Sequence, residues 1–249
     1  TSLVRLRQAA SNFQDVDGAE AIAEDMRKRF RKLFLEGGAD TLEPVSALAL
    51  YEEFRELTPP GTDGDEMIRK LADRLVKVDL LSEASRLLDH QVRFRLTGLE
   101  RHRVGARLAL IDLLNRNPEK ALESLNVSDG SELPGVLELQ RRYLQVRALA
   151  AAGNPDAALD LLSGDVSHDA ELLRLELYWS ASDWQKIAQT ARRLVPQREA
   201  SELSPQQADM VLRWAVAQTM EGDTASLIDL RDRFGAAMEK TIYGDAFKA

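Results

Sequence analysis

The sequence predicts an all-α protein, an α-solenoid of about five antiparallel helix pairs. Three observations point there. Apolar residues recur at spacings of three and four throughout the chain, the signature of one buried helix face. Sustained apolar/polar alternation is missing, and clusters of Val, Ile or Thr are few, so strand signals are nearly absent. An alanine followed four positions later by a large apolar residue recurs every 37 residues, at Ala47, Ala84, Ala121 and Ala158.

Residues 1–36 are expected to form an N-terminal amphipathic cap, and 37–249 one continuous repeat array. In the cap, "MRKRFRKLF" (26–34) sets Arg27, Lys28, Arg29, Arg31 and Lys32 around Phe30 and Phe34. Such a stretch can lie on an anionic membrane or take up an acidic partner. Packing of Phe30, Leu33 and Phe34 on the first repeat is the preferred reading, because acidic "AEDM" abuts the stretch. Pro59, Pro60, Gly61 and Gly64 then mark a loop. "MIRKLADRLVKVD" places Met67, Leu71, Leu75 and Val78 on one stripe, and "SEASRLLDHQVRFRL" does the same with Ala84, Leu87, Leu88, Val92 and Phe94. "GARLALIDLL", "YLQVRALAAA" and "ADMVLRWAVAQTM" continue the pattern. "SDGSELPG" (128–135), "SGDVSH" (163–168) and "PQREASELSP" (196–205) read as connecting loops.

Two stretches, "RNPEKALESL" and "GNPDAALDLL", each put Asn-Pro before an Ala-Leu pair. Pro118 and Pro155 suit a first helical turn, where the missing N–H has no helical partner. Asn117 and Asn154 precede them as expected N-caps whose side-chain oxygens accept a free backbone N–H. The preceding helix keeps step, with Ala72 and Ala109 set 12 before Ala84 and Ala121. After Ala158 the period loosens, to Ile187 in "SDWQKIAQTARRLV" and Leu227 in "GDTASLIDLRDRF". A single pair cannot bury both apolar faces, which is why such units stack.

In these features the chain resembles the tetratricopeptide repeat family over about 35–240. "VRALAAAGNPDAALDLL" (146–162) carries the resemblance best, with Leu149, Gly153, Ala158 and Leu162 in family slots. Ala72, Ala109 and Ala215 fit the small first-helix slot, and Trp184 a frequent aromatic one. The period of 37 departs from the family's roughly 34, Val146 fills a slot that is usually small, and the first-helix aromatic is mostly missing. The stretch from "LYEEFRELTPPG" to about Pro118 also resembles parts of large uncharacterised alphaproteobacterial proteins, which implies no activity.

Composition narrows the function. A net charge of −8 argues against a general nucleic-acid binder, whose affinity comes from neutralising phosphates. Absence of cysteine excludes disulfides and thiolate chemistry, and leaves reducing and oxidising compartments open. No apolar run approaches the roughly 18–20 residues of a membrane span. The first residue is Thr1, so a processed protein or a piece of a longer one is expected. A soluble domain of the bacterial cytoplasm or periplasm fits.

His90, His102 and His168 lack metal-ligand spacing and read as solvated or turn residues. "GTDGDE" (61–66) offers acidic oxygens but lacks the spacing and distal glutamate of a calcium loop. No phosphate-binding or nucleophile motif occurs, so no cofactor and no enzyme activity are expected. From Arg86 to Arg107 six arginines meet two acids. A solvated ridge is preferred over a docking site for a carboxylate-rich peptide, although guanidinium forks grip carboxylates well.

The family resemblance implies that first helices line a concave groove. Carried over slot by slot, it implies Arg69, Asp73 and Lys77, then Arg103 and Arg107, then Tyr143 and Arg147, then Glu176 and Trp179 as groove residues. Aromatic anchors mixed with charge suit peptide recognition. The expected function is a non-enzymatic interaction module holding a peptide or helix of a partner protein. The alternative is a structural spacer or self-association domain of a larger envelope protein, with a second copy of the chain as its partner.

Overall fold

The computed structural model describes residues 19–130, 133–195 and 202–248. Among them every regular element is helical: thirteen α-helices, two short 3-10 turns and no strand. In the first half stand α1 (Ala19–Leu35), α2 (Pro44–Glu53), α3 (Thr62–Lys77), α4 (Leu81–Phe94), α5 (Gly98–Leu114), α6 (Pro118–Val127) and α7 (Gly135–Ala151). Then come α8 (Pro155–Leu161), α9 (His168–Ser180), α10 (Trp184–Leu194), α11 (Pro205–Glu221), α12 (Thr224–Met238) and α13 (Gly244–Lys248). The 3-10 turns are Gly38–Thr41 and Arg55–Leu57. The chain divides into two compact units, Thr1–Ala148 and Leu149–Ala249, the division falling in the last turn of α7. Residues 1–18 of the expected cap, and 131–132 and 196–201 of two expected loops, lie outside the described residues.

One turn recurs five times. Asp79, Arg116, Gly153, Ser182 and Gly222 all have positive φ, between 55° and 81°. The residue after each donates its N–H back to a carbonyl five positions earlier: Leu80 to Leu75, Asn117 to Asp112, Asn154 to Leu149, Asp183 to Tyr178 and Asp223 to Gln218. This left-handed C-cap satisfies carbonyls that a helix end would leave without donors. Each turn leads from one helix into the next in the chain: α3 to α4, α5 to α6, α7 to α8, α9 to α10 and α11 to α12. Only two of the five positions are glycine. Asp79, Arg116 and Ser182 hold a conformation that costs an L-residue about 1–2 kcal/mol.

The repeated alanine sits at the fourth residue of each second helix, and its N–H makes the first helical bond, to the cap carbonyl: Ala84 to Leu80, Ala121 to Asn117 and Ala158 to Asn154. Ala47, Ala84, Ala121, Ala158 and Ile187 are fully buried. Leu227 is only half-buried, and Leu230 and Phe234 carry the burial in α12 instead. Asn117 and Asn154 hold the N-cap position, yet neither side chain accepts a capping bond, contrary to expectation. The following proline already removes one orphan donor, and the Asn154 amide donates to the Ala152 carbonyl. Asp183 and Asp223, in the same slot before non-proline residues, do cap, accepting from the Lys186 and Ser226 N–H groups.

In the first unit, α1 packs on α3. Met26, Phe30 and Phe34 are buried there with Tyr51, Phe54, Met67, Leu71, Leu88 and Leu108. Phe34 meets Tyr51 edge-on at 5.7 Å. The basic residues beside them face solvent and pair with Glu24, Asp25 and Asp63. A second cluster joins Ala106 and Ala109 of α5, Ala121 and Leu125 of α6, and Leu137, Leu144 and Ala148 of α7. In the second unit, Ile187, Ala191, Val211, Trp214, Leu230 and Phe234 form the core. Burying each such large side chain contributes about 1.5–3 kcal/mol.

Gly64 proves to be helical rather than part of the loop. It lies in the first turn of α3, where a β-carbon would stand 2.0 Å from the Pro59 carbonyl oxygen. Only glycine lets the helix approach the chain that closely. No described helix is long and apolar enough to cross a membrane.

Candidate functional site

Helices α3 and α5 carry a ladder of charge, exposed at Glu100, Arg103 and Arg107 and half-buried at Arg69 and Asp73. Arg107 pairs with Asp73, Arg69 stands 3.7 Å from Glu100, and Arg103 stands 2.9 Å from the same Glu100. Four of the expected groove residues, Arg69, Asp73, Arg103 and Arg107, are therefore brought together, joined by a glutamate that the slot pattern did not select. Lys77, on the last turn of α3, is exposed beyond them. On α7, Arg147 is exposed, whereas Tyr143 is buried.

In the second unit Glu176 is exposed and Trp179 is half-buried. The Trp179 ring meets Trp184 edge-on at 5.8 Å, and the Arg213 guanidinium lies 5.1 Å from its centre. Arg213 in turn is held by Asp209 at 2.8 Å. Trp179 thus joins α9, α10 and α11, with one edge left to solvent.

Other arginines turn inward and bond to backbone. Arg141 on α7, 6% exposed, donates to the Leu125 carbonyl at 2.6 Å, the His102 carbonyl at 2.9 Å and the Ser128 hydroxyl at 3.1 Å. Burial holds its pKa below the usual guanidinium value. Arg74 reaches the Ala39 and Leu42 carbonyls, and Arg174 those of Leu162 and Asp165. Arg101 reaches the Val127 carbonyl. A cation near a helix C-terminus opposes the negative end of its dipole while filling free acceptors. The arginine-rich stretch 86–107 is accordingly mixed: Arg86, Arg93, Arg103 and Arg107 are exposed and ion-paired, while Arg95 and Arg101 point into the fold.

His102 is likewise neither solvated nor in a turn. It sits within α5, partly buried, with Nδ1 at 2.5 Å from the Ser128 carbonyl oxygen. Its ring fills the space a β-carbon would need at Gly130. Gly105, one turn along, is pressed so close to Ser128 that a β-carbon would stand 1.9 Å from its hydroxyl. "GTDGDE" is mostly helical, and the buried Asp65 carboxylate pairs with Arg95 at 2.9 Å. Among the described residues no group of three or more potential ligands could hold a metal ion.

Two clefts in the first unit involve titratable groups. One, of about 280 Å³, is lined by Ser82, Asp89, Lys120 and Glu123 above the buried Asp112. Ser85 and Ser124 donate to the Asp112 carboxylate at 2.6 and 2.8 Å, yet burial outweighs those bonds and raises its pKa above the ordinary 3.8. The other, of about 340 Å³, lies between α2 and α4 over Tyr51, Ile68 and Leu87, with Arg55, Arg86 and His90 among its walls. Sequence pattern did not single out either cleft. Their residues come from three consecutive helices, and no short motif spans them. Compared with known proteins, no family model, curated protein or solved structure matches the chain.

Proposed function

We propose that the chain is a non-enzymatic interaction module, a tetratricopeptide-like stack of antiparallel helix pairs that holds a peptide or helix of a partner protein. The observation that carries this reading is the charge ladder of Arg69, Asp73, Glu100, Arg103 and Arg107 on two successive first helices. An exposed ion pair such as Arg103–Glu100 contributes only about 0–1 kcal/mol. A partner's carboxylates can therefore replace the internal ones at little cost, and guanidinium forks would then set its register. The five repeated turns support the stacked-pair reading. Support for a non-enzymatic role comes from the inward arginines and His102, which are occupied by structural bonds. The test is affinity capture followed by cross-linking, comparing the native chain with an Arg103→Glu, Arg107→Glu variant of unchanged circular dichroism. A partner retained by the double reversal would overturn the reading.

The second reading is self-association or a spacer role. It draws on the last helices of the second unit, where Met220 and Ile228 are exposed and a cleft is lined by Leu212, Val216, Leu227 and Phe247. Sedimentation equilibrium separates the two: a dimer broken by Ile228→Asp favours this reading, and a monomer at all concentrations removes it.

A further inference from the structure

We infer that the cleft between α2 and α4 binds a small organic carboxylate with an apolar body, an activity independent of any protein partner. The floor is apolar: Ile68 and Leu87 are buried, and the Tyr51 ring is fixed from behind by Phe30 and Phe34. The volume of about 340 Å³ falls in the range of small-molecule pockets, which typically combine such a floor with a few placed polar groups.

The polar groups at this rim suit an anion. Arg55, on the 3-10 turn after α2, lines the cleft, and no ion pair engages it among the described residues. Arg86 pairs with Glu52 at 2.9 Å on the surface. Arg95 gives Nε to Asp65 and one terminal nitrogen to the Pro59 carbonyl, which fixes its plane. His90 completes the wall. Two carboxylates, Glu52 and Glu56, share the lining. Asp65 neutralises Arg95 and Glu52 pairs with Arg86, which leaves Arg55 as the guanidinium available to a ligand.

A buried donor adds an independent indication. Tyr51 is 6% exposed, and its hydroxyl shares one bond with Thr58 Oγ1 at 3.4 Å, which leaves one hydroxyl proton of the pair without an acceptor among the described residues. Burial keeps that phenol protonated. A buried donor left unmatched is costly unless a ligand or water fills it. A carboxylate here would accept from Tyr51 and from one guanidinium, with its hydrocarbon body over Ile68 and Leu87.

Calorimetric titration of the full chain with phenylacetate tests the inference, with phenylacetamide and inorganic phosphate as comparisons. Saturable phenylacetate binding is expected, with a Kd of about 1 mM or tighter for a ligand of this size. The neutral amide should bind at least about tenfold more weakly, since charge-assisted bonds are lost. Arg55→Gln and Tyr51→Phe should each weaken binding about fivefold, whereas Arg27→Gln, on the outer face of α1, should not. Circular dichroism verifies that each variant folds. Absence of saturation, equal binding of the amide, equal competition by phosphate, or indifference to Arg55→Gln would each overturn the assignment.

Discussion

Arg141 donates to the carbonyl of Leu125 at 2.6 Å, closing the end of α6 with a side chain that stands sixteen residues further along. The same guanidinium also holds His102 and Ser128, so one buried cation ties α5, α6 and α7 together.

Replacing that cation should therefore be among the most damaging changes in the first unit. Arg141→Met leaves two carbonyls and a hydroxyl without their donor, and a loss of about 3 kcal/mol is expected. Arg141→Lys should recover only part of it, because an ammonium cannot span acceptors arranged for a planar fork. Urea denaturation followed by circular dichroism measures both. A loss under about 1 kcal/mol for the methionine variant would show that the network adds little.

Glycines inside helices give predictions of opposite sign. Gly105→Ala must push Ser128 aside, since the new carbon would stand 1.9 Å from its hydroxyl. Overpacking of that kind costs about 1–3 kcal/mol. Gly235, in α12, has only the Arg231 side chain near, at 3.8 Å. Gly235→Ala should stabilise by about 0.5–1 kcal/mol through helix propensity. Thermal melts of the two variants should move in opposite directions.

Asp112 makes stability pH-dependent in a defined sense. Burial raises its pKa in the folded state, so the folded chain holds a proton there that the unfolded chain has already released. Its contribution is therefore fully present below the ordinary 3.8 and is lost as pH rises through the elevated folded value. Relative to Asp112→Asn, which cannot ionise, the native chain should gain stability on acidification across that window. Denaturation curves at several pH values measure the gap, and a gap independent of pH would contradict the assignment.

The pattern of small residues was readable in advance because it is local. Ala84, Ala121 and Ala158 stand at equal spacing, each has a leucine four later, and all three alanines are buried. The roles of arginine were not readable in the same way. Arg95, Arg101 and Arg141 look in sequence like Arg103 and Arg107, but their acceptors are mostly backbone carbonyls 16 to 39 residues away. A carbonyl belongs to every residue, so composition cannot mark it as a partner. The asparagine caps failed for a related reason: position set the N-cap, while the proline after it changed which donors needed filling. Four groove residues could be grouped because α3 and α5 carry them at one offset, 34 residues from Arg69 to Arg103 and from Asp73 to Arg107. Tyr143 lies on α7 outside that offset, and its ring is buried.

The left-handed turn also has a consequence for engineering. From each turn residue to the repeated-alanine slot in the next helix the interval is five: Asp79 to Ala84, Arg116 to Ala121, Gly153 to Ala158, Ser182 to Ile187 and Gly222 to Leu227. Variation in repeat length thus falls outside the turn, in the helices and connectors: α8 and α9 have 7 and 13 residues where α6 and α7 have 10 and 17. A cut placed just after one such residue and a splice just after the next would define an interchangeable cassette, Leu80 to Arg116. Both of its junctions are the same left-handed turn, so the backbone geometry at its two ends already matches.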